Sequence, residues 1–133
     1  MPVTKLKSTW VGGSLRFLDS SGGIASGIAA VSGGTTVAGD DLVIPVTHRY
    51  VAKTTAGDAE ALTLANGIPG QLLTISLVTD GGGDGTLTPT TKTGFSTIVF
   101  ADAKDTATLL YVDDTIGWII VGYYGTAAPP VVS

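Results

Sequence analysis

An all-β fold is what this sequence predicts: a compact antiparallel β-sandwich or barrel of short strands, preceded by an extended N-terminal arm. Three observations predict it. Apolar residues alternate with polar ones in several short runs, as in Leu73, Ile75 and Leu77 against Thr74 and Ser76. Turn signals built from Gly, Asp, Asn and Pro recur at roughly the 8–12-residue spacing of antiparallel β domains. Threonine occurs 20 times, and its β-branched side chain packs well on a pleated face.

Residues 1–40 read as the arm. Ser14 to Leu18 can form one short strand, with Leu15 and Phe17 on one side and Ser14 and Arg16 on the other. Gly and Ser then accumulate from Ser20 to Gly39, too sparse in apolar side chains to build a core alone. Yet Trp10, Val11, Leu15, Phe17, Leu18, Ile24, Ile28 and Val31 are scattered through it. Exposing all of them is unfavourable, so the arm is expected to bury them on another polypeptide. The alternative is that it folds back onto its own body as an edge strand. Ile24, Ile28 and Val31 have helical spacing, but Gly27 between them weakens a helix.

Residues 41–126 read as the body and 127–133 as a C-terminal tail. Leu42 to Lys53 is apolar and β-branched, and Pro45 sets that part at an edge or a bulge. Leu62 and Leu64 alternate with Ala61 and Thr63. The only helical candidate, Ala56 to Ala65, is short and contains Thr63, which favours strand. Asn66-Gly67 and Pro69-Gly70 mark turns before the Leu73–Leu77 strand. Asp80 to Gly85 is a loop, read as a flexible hairpin tip. Leu87 belongs to a short strand stopped by Pro89. Ile98 and Phe100 share a face, and Asp102 to Asp105 turns the chain. Either Leu109 and Tyr111 or Leu110 and Val112 face inward before the Asp113-Asp114 turn. Trp118 to Tyr124 is apolar at nearly every position and is expected to be covered on both faces.

The chain has 133 residues, 44% hydrophobic and only 14% charged, with a mean hydropathy of +0.40. Such a composition is too apolar for a disordered chain. A surface so poor in charge fits a protein covered largely by partners. A body of this size without cysteine for disulfides is expected to complete its core by forming a homo-oligomer. No run of residues approaches the apolar length of a membrane span, and Met1 to Ser14 lacks the apolar core of a signal peptide, so a cytoplasmically made protein without membrane partners is expected. The net charge of −4 is uneven. Lys5, Lys7 and Arg16 precede the first acid, Asp19, whereas the rest of the chain is strongly acidic. A basic arm on an acidic body is expected to dock on an acidic surface, and the acidic body argues against nucleic acid.

No constellation for catalysis emerges. His48 is the only histidine and Glu60 the only glutamate. The aspartates sit in turns, where their side chains cap backbone amides. Asp80-Gly-Gly-Gly-Asp84-Gly85 is followed by no Gly-Lys-Ser/Thr, so it is no phosphate loop. A weak calcium site from Asp80 and Asp84 is the alternative to a plain turn. Trp118 with Tyr123 and Tyr124 could form a sugar platform, although aromatics of a terminal strand more often serve a core or subunit interface. No enzyme activity, cofactor or metal is expected.

The C-terminal third reads Gly94-Phe95, Ile98-Val-Phe100, Asp105, Leu109-Leu110-Tyr111, Gly117-Trp118-Ile119-Ile120-Val121-Gly122 and Gly125. With Lys53 to Glu60, Gly70 to Ile75 and the leading Trp10 to Phe17, it resembles small virion proteins of tailed bacteriophages, covering residues 49–125 well and 9–19 more loosely. The resemblance implies a capsid decoration, or cement, protein: a homotrimer on the outer surface of the phage head that clamps neighbouring major capsid proteins. On that expectation Lys5, Lys7, Trp10, Leu15, Arg16 and Phe17 form the capsid-binding arm, and Trp118, Ile120 and Tyr123 the subunit interface. The competing expectation is a tail-fibre or other host-adhesion module that binds glycans; the short length favours the expectation of a free-standing protein.

Overall fold

The computed structural model describes residues 7–11, 14–18, 31–125 and 131–133, the first two segments and Val131 by their backbone. The chain divides into two compact units, Met1–Ala30 and Val31–Ser133. Every regular element among the described residues is a β-strand.

In the first unit, β1 (Lys7–Val11) and β2 (Ser14–Leu18) pair antiparallel as a two-stranded ribbon. The expected strand at 14–18 is present, and residues 7–11 supply its partner. Trp10 stands opposite Leu15 and Ser8 opposite Phe17. By the period of two, these four positions share one face, while Lys7 and Arg16 belong to the other.

The second unit begins at Val31 rather than 41, because β3 (Ser32–Val37) is a strand of the body. It is followed by β4 (Val43–Ile44), β5 (His48–Thr54), β6 (Glu60–Leu64), β7 (Leu72–Thr79), β8 (Gly85–Pro89), β9 (Ile98–Phe100), β10 (Thr106–Tyr111), β11 (Trp118–Tyr124) and β12 (Val131–Val132). They form two five-stranded sheets, not closed into a barrel. Sheet I runs β11-β10-β7-β5-β3 and sheet II runs β12-β9-β8-β6-β4. The last part of the segment expected to be an arm is thus an edge strand of its own body. Within the expected tail, Ser133 exchanges backbone hydrogen bonds with Thr97 at 3.1 and 3.2 Å, and β12 extends sheet II.

The expected all-antiparallel pairing needs correction. From β3 to β8 the chain alternates between sheets at every turn. Each strand therefore hydrogen-bonds to the second strand along the chain, not to the next. β3, β5 and β7 are parallel in sheet I, and β4, β6 and β8 are parallel in sheet II. Within this unit antiparallel neighbours follow only after β8: β8 with β9, β9 with β12, β7 with β10 and β10 with β11. The turn at 80–85 is consequently an arch from one sheet to the other, not a hairpin tip. It packs closely on the 55–59 arch: Gly83 N–H donates to Ala56 C=O at 2.9 Å and Gly81 N–H to Thr55 Oγ1 at 3.2 Å. A Cβ at Gly83 would stand 2.0 Å from Asp58 O, which is why glycine is required there.

The inward positions of both sheets supply one core. Val51, Leu73, Ile75, Leu77, Leu109, Tyr111 and Trp118 come from sheet I; Ile44, Leu62, Leu64, Leu87, Ile98 and Phe100 come from sheet II. Burying each of the aliphatic side chains contributes about 1.5–3 kcal/mol. Of the two inward alternatives on β10, the chain uses Leu109 and Tyr111.

Two polar devices close the ends of this core. At one end Lys53 occupies an inward position of β5 and is 1% exposed. Its Nζ lies 2.6 Å from Glu60 Oε2 and donates to Ala38 O at 2.7 Å and Asp41 O at 2.9 Å. Glu60 Oε1 accepts the Ala56 and Asp40 amides at 2.6 and 3.2 Å. At the other end Trp118 Nε1 donates to Ala65 O at 2.9 Å, and Gln71 Nε2 donates to Val46 O at 2.8 Å. Tyr111 meets Trp118 edge to face, with ring centroids 5.2 Å apart, and its hydroxyl donates to Asp114 Oδ1.

These groups set a pH window. Burial pushes the Glu60 carboxyl up, but the Lys53 hydrogen bond, the Ala56 and Asp40 amides and the Lys53 charge outweigh it and hold the group below its ordinary 4.5. A carboxyl lowered by folding stabilises above its unfolded value, and that stabilisation is lost as pH falls through the folded value. Burial, then the Asp114 hydrogen bond and the Asp114 and Asp113 charges, push the Tyr111 phenol from 10.0 up to about 12. The folded state holds this proton more tightly, so its contribution is whole below pH 10 and is lost between 10 and about 12. Thermal melting followed against pH is expected to be flat at neutrality and to decline at both extremes, and Tyr111→Phe is expected to flatten the alkaline decline.

Candidate self-association surface

The strand period sends Tyr50, Ala52 and Thr54 of β5 away from the core, along with Leu72, Thr74 and Ser76 of β7. Register aligns them into rows across sheet I. One row is Thr36, Ala52, Ser76, Thr106 and Tyr124; the next is Gly34, Tyr50, Thr74, Thr108 and Gly122. No position in either row carries a formal charge. The four central hydroxyls pair with each other: Thr74 Oγ1 and Thr108 Oγ1 are 2.9 Å apart, and Ser76 Oγ and Thr106 Oγ1 are 2.8 Å apart.

Aromatic and aliphatic side chains stand on this floor. Tyr124 is 63% exposed, Leu72 51%, Val78 46% and Tyr50 38%. Tyr50, Val78, Lys104 and Tyr124 border an open groove of 430 Å³ floored by Ser76 and Thr106. Gly34 makes room for the Tyr50 ring on the neighbouring strand: a Cβ there would lie 3.2 Å from Tyr50 Cδ1. The outer face of sheet II is also uncharged but has no aromatic residue; it presents Val43, Ala61, Thr63, Thr86, Thr88 and Val99.

In the second unit charge is confined to the ends of the strands. The arches at 38–42, 55–59 and 80–84 and the turn at 101–105 lie at one end, with Asp40, Asp41, Asp58, Asp80, Asp84, Asp102 and Asp105. Lys104 and the Lys53–Glu60 pair are the other charges there. The opposite end balances Arg49 and Lys92 against Asp113 and Asp114.

The three residues expected at a subunit interface separate. Trp118 is 0% exposed and belongs to the core of its own chain, so it presents no surface to a neighbour. Ile120 is half-buried against that core. Tyr123 is 54% exposed. β11 is covered at its start but open from Val121 to Tyr124, unlike the two-sided burial expected of it. Of the expected arm, Lys5 lies outside the described residues; Lys7, Trp10, Leu15, Arg16 and Phe17 are placed by backbone in the β1–β2 ribbon. Tyr50 and Leu72 were missed, although their outward parity follows from the buried Val51 and Leu73 beside them. His48 Nδ1 lies 2.9 Å from Thr47 Oγ1, and Asp80 Oδ1 accepts the Gly82 amide at 2.7 Å, a local turn bond. Among the described residues, no group of three or more His, Cys, Asp or Glu side chains is placed to hold a metal.

In comparisons with known proteins, the chain matches no family model and no curated sequence.

Proposed function

We propose that this chain is a structural protein of a phage particle, a capsid decoration protein that sits on the head as a homotrimer and stabilises contacts between major capsid proteins. We read its two sheets as the layers of a β-sandwich, since both feed one core. The observation that carries the self-association is the outer face of sheet I. Parallel strands are normally covered on both faces. Here β3, β5 and β7 are parallel and leave outside a chargeless floor bearing Tyr50 and Tyr124. A second copy covering that face removes apolar surface from water, and the one formal charge bordering the groove is Lys104 at its rim.

The capsid contact is assigned to the N-terminal unit. Its backbone pairs Trp10 with Leu15, Ser8 with Phe17 and Thr9 with Arg16, and it forms a unit distinct from the body. Three such units on one trimer act at high effective concentration, so modest contacts sum to firm attachment. Deleting residues 1–18 is expected to leave a folded trimer, lighter by the three missing arms, that no longer sediments with phage heads. Saturation of heads by the truncated protein at normal affinity would refute the arm mechanism.

A host-adhesion module is the second reading, favoured by the open groove between Tyr50 and Tyr124. It predicts glycan binding on an array, lost in Tyr124→Ser, and attachment to cells in place of heads.

A further inference from the structure

We propose that the copies join edge to edge, β3 of one subunit pairing with β11 of the next, so that sheet I runs continuously around the assembly. The inference rests on the self-association proposed above and names the strands that carry it.

The two sheets treat their edges differently. Exposed edge strands present unpaired N–H and C=O groups, and proteins that stay apart blunt them with short strands, charges or proline. Sheet II is blunted in this way: its edges are β4 and β12, two residues each, with Pro45 after the first and Pro130 before the second in sequence. Sheet I is not. Its edges are β3, six residues reading SGGTTV, and β11, seven residues reading WIIVGYY. Neither contains a charge or a proline; among the described residues neither has a strand on its outer side, and β11 is met there only at Trp118, which bridges to Lys92 through Thr91 O and the Thr93 amide, so that Ile119–Tyr124 stay open. The groups such an edge offers are satisfied by another strand, which identifies the kind of occupant by hydrogen-bond complementarity alone.

The two free edges also fit each other better than either fits itself. β3 is small, and a Cβ at Gly33 meets nothing within 4 Å. β11 is bulky, with Val121 51%, Tyr123 54% and Tyr124 63% exposed. Glycine in one strand gives an aromatic neighbour room to lie across it, the arrangement already present between Gly34 and Tyr50 inside the subunit. Two β3 edges together leave gaps, and two β11 edges crowd their tyrosines. Unlike edges make a head-to-tail contact, which closes into a ring when the rotation permits. Three sheets joined this way enclose a common interior, and the Tyr50–Tyr124 face is the one available to line it.

The test uses the full chain with one lysine placed on each edge, Gly33→Lys or Val121→Lys, at positions that are open in the single subunit. Far-UV circular dichroism reports folding and sedimentation equilibrium reports mass. The wild type is expected at three times 13.4 kDa, and each variant is expected to be folded at 13.4 kDa, a threefold loss of mass. Gly33→Lys retaining the wild-type mass while Val121→Lys falls apart overturns the pairing in favour of β11 with β11. Both variants retaining it overturns the edge contact while leaving the trimer intact. A wild type of 13.4 kDa overturns the self-association itself. Amide hydrogen exchange on the wild type needs no variant: slow exchange along β3 and β11 supports the pairing, and fast exchange in both overturns it.

Discussion

Lys53→Met is expected to cost about 3–5 kcal/mol, the range for removing one partner of a buried ion pair. For a single domain holding roughly 5–15 kcal/mol in total, that is a large part of its stability. The reason lies in what Lys53 touches. Its ammonium has three donors, and the structure gives it three acceptors: Glu60 Oε2, Ala38 O and Asp41 O. Methionine fills the volume and meets none of them. The Glu60 carboxylate, 5% exposed, then loses its counter-charge and must take up a proton. Two carbonyls of the 38–42 arch lose their donor at the same time. Because Glu60 also holds the Ala56 and Asp40 amides, the damage spreads to the first two arches together. Equilibrium denaturation by urea reads the loss directly. A Lys53→Met variant within about 1 kcal/mol of the wild type contradicts this account, since a truncated buried pair cannot be that cheap.

Trp118→Ala is expected to cost a similar 3–5 kcal/mol, here by opening a cavity. Trp118 starts β11, and its ring reaches across to the β6–β7 connection, donating to Ala65 O at 2.9 Å and stacking edge to face on Tyr111. Gly67 is a glycine partly for its sake: a Cβ there would lie 2.9 Å from Trp118 Cζ2. Trp118→Phe keeps most of the packing but strands the Ala65 carbonyl, and about 1–3 kcal/mol is expected. The alanine effect is expected to be independent of protein concentration, because the side chain is buried within one chain. A loss that vanishes at high protein concentration instead places Trp118 in a subunit contact and contradicts its assignment to the core.

How much was legible in the sequence follows from what each signal encodes. Alternation encodes which side chains face inward, and Leu62, Leu64, Leu73, Ile75, Leu77, Ile98 and Phe100 all face the core as read. Turn residues encode only that the chain reverses. They do not say whether the returning strand bonds to its predecessor or faces it across a core, so Asp80 to Gly85 looked the same as a hairpin tip or as an arch. The parallel winding from β3 to β8 was lost there. Ser32–Val37 was hidden for another reason: SGGTTV has the composition of a linker and becomes a strand only because β5 offers it an edge. Trp118 is a subunit-interface candidate in the sequence because β11 is apolar at nearly every position, which erases the alternation that would sort it from Tyr124. Lys53 and Glu60 gave no sign of their pairing, since two opposite charges seven positions apart on different strands match no local rule.

The winding has one further consequence. Each circuit of the chain from β3 onward contributes one strand to sheet I and one to sheet II, so the body grows along a single axis by about 4.8 Å per circuit. The antiparallel strands β9, β10 and β11 terminate that growth on one side. An ancestor or a designer can therefore change the height of this protein by whole circuits, duplicating or excising a segment such as β5–β6, without altering its thickness or its finishing strands.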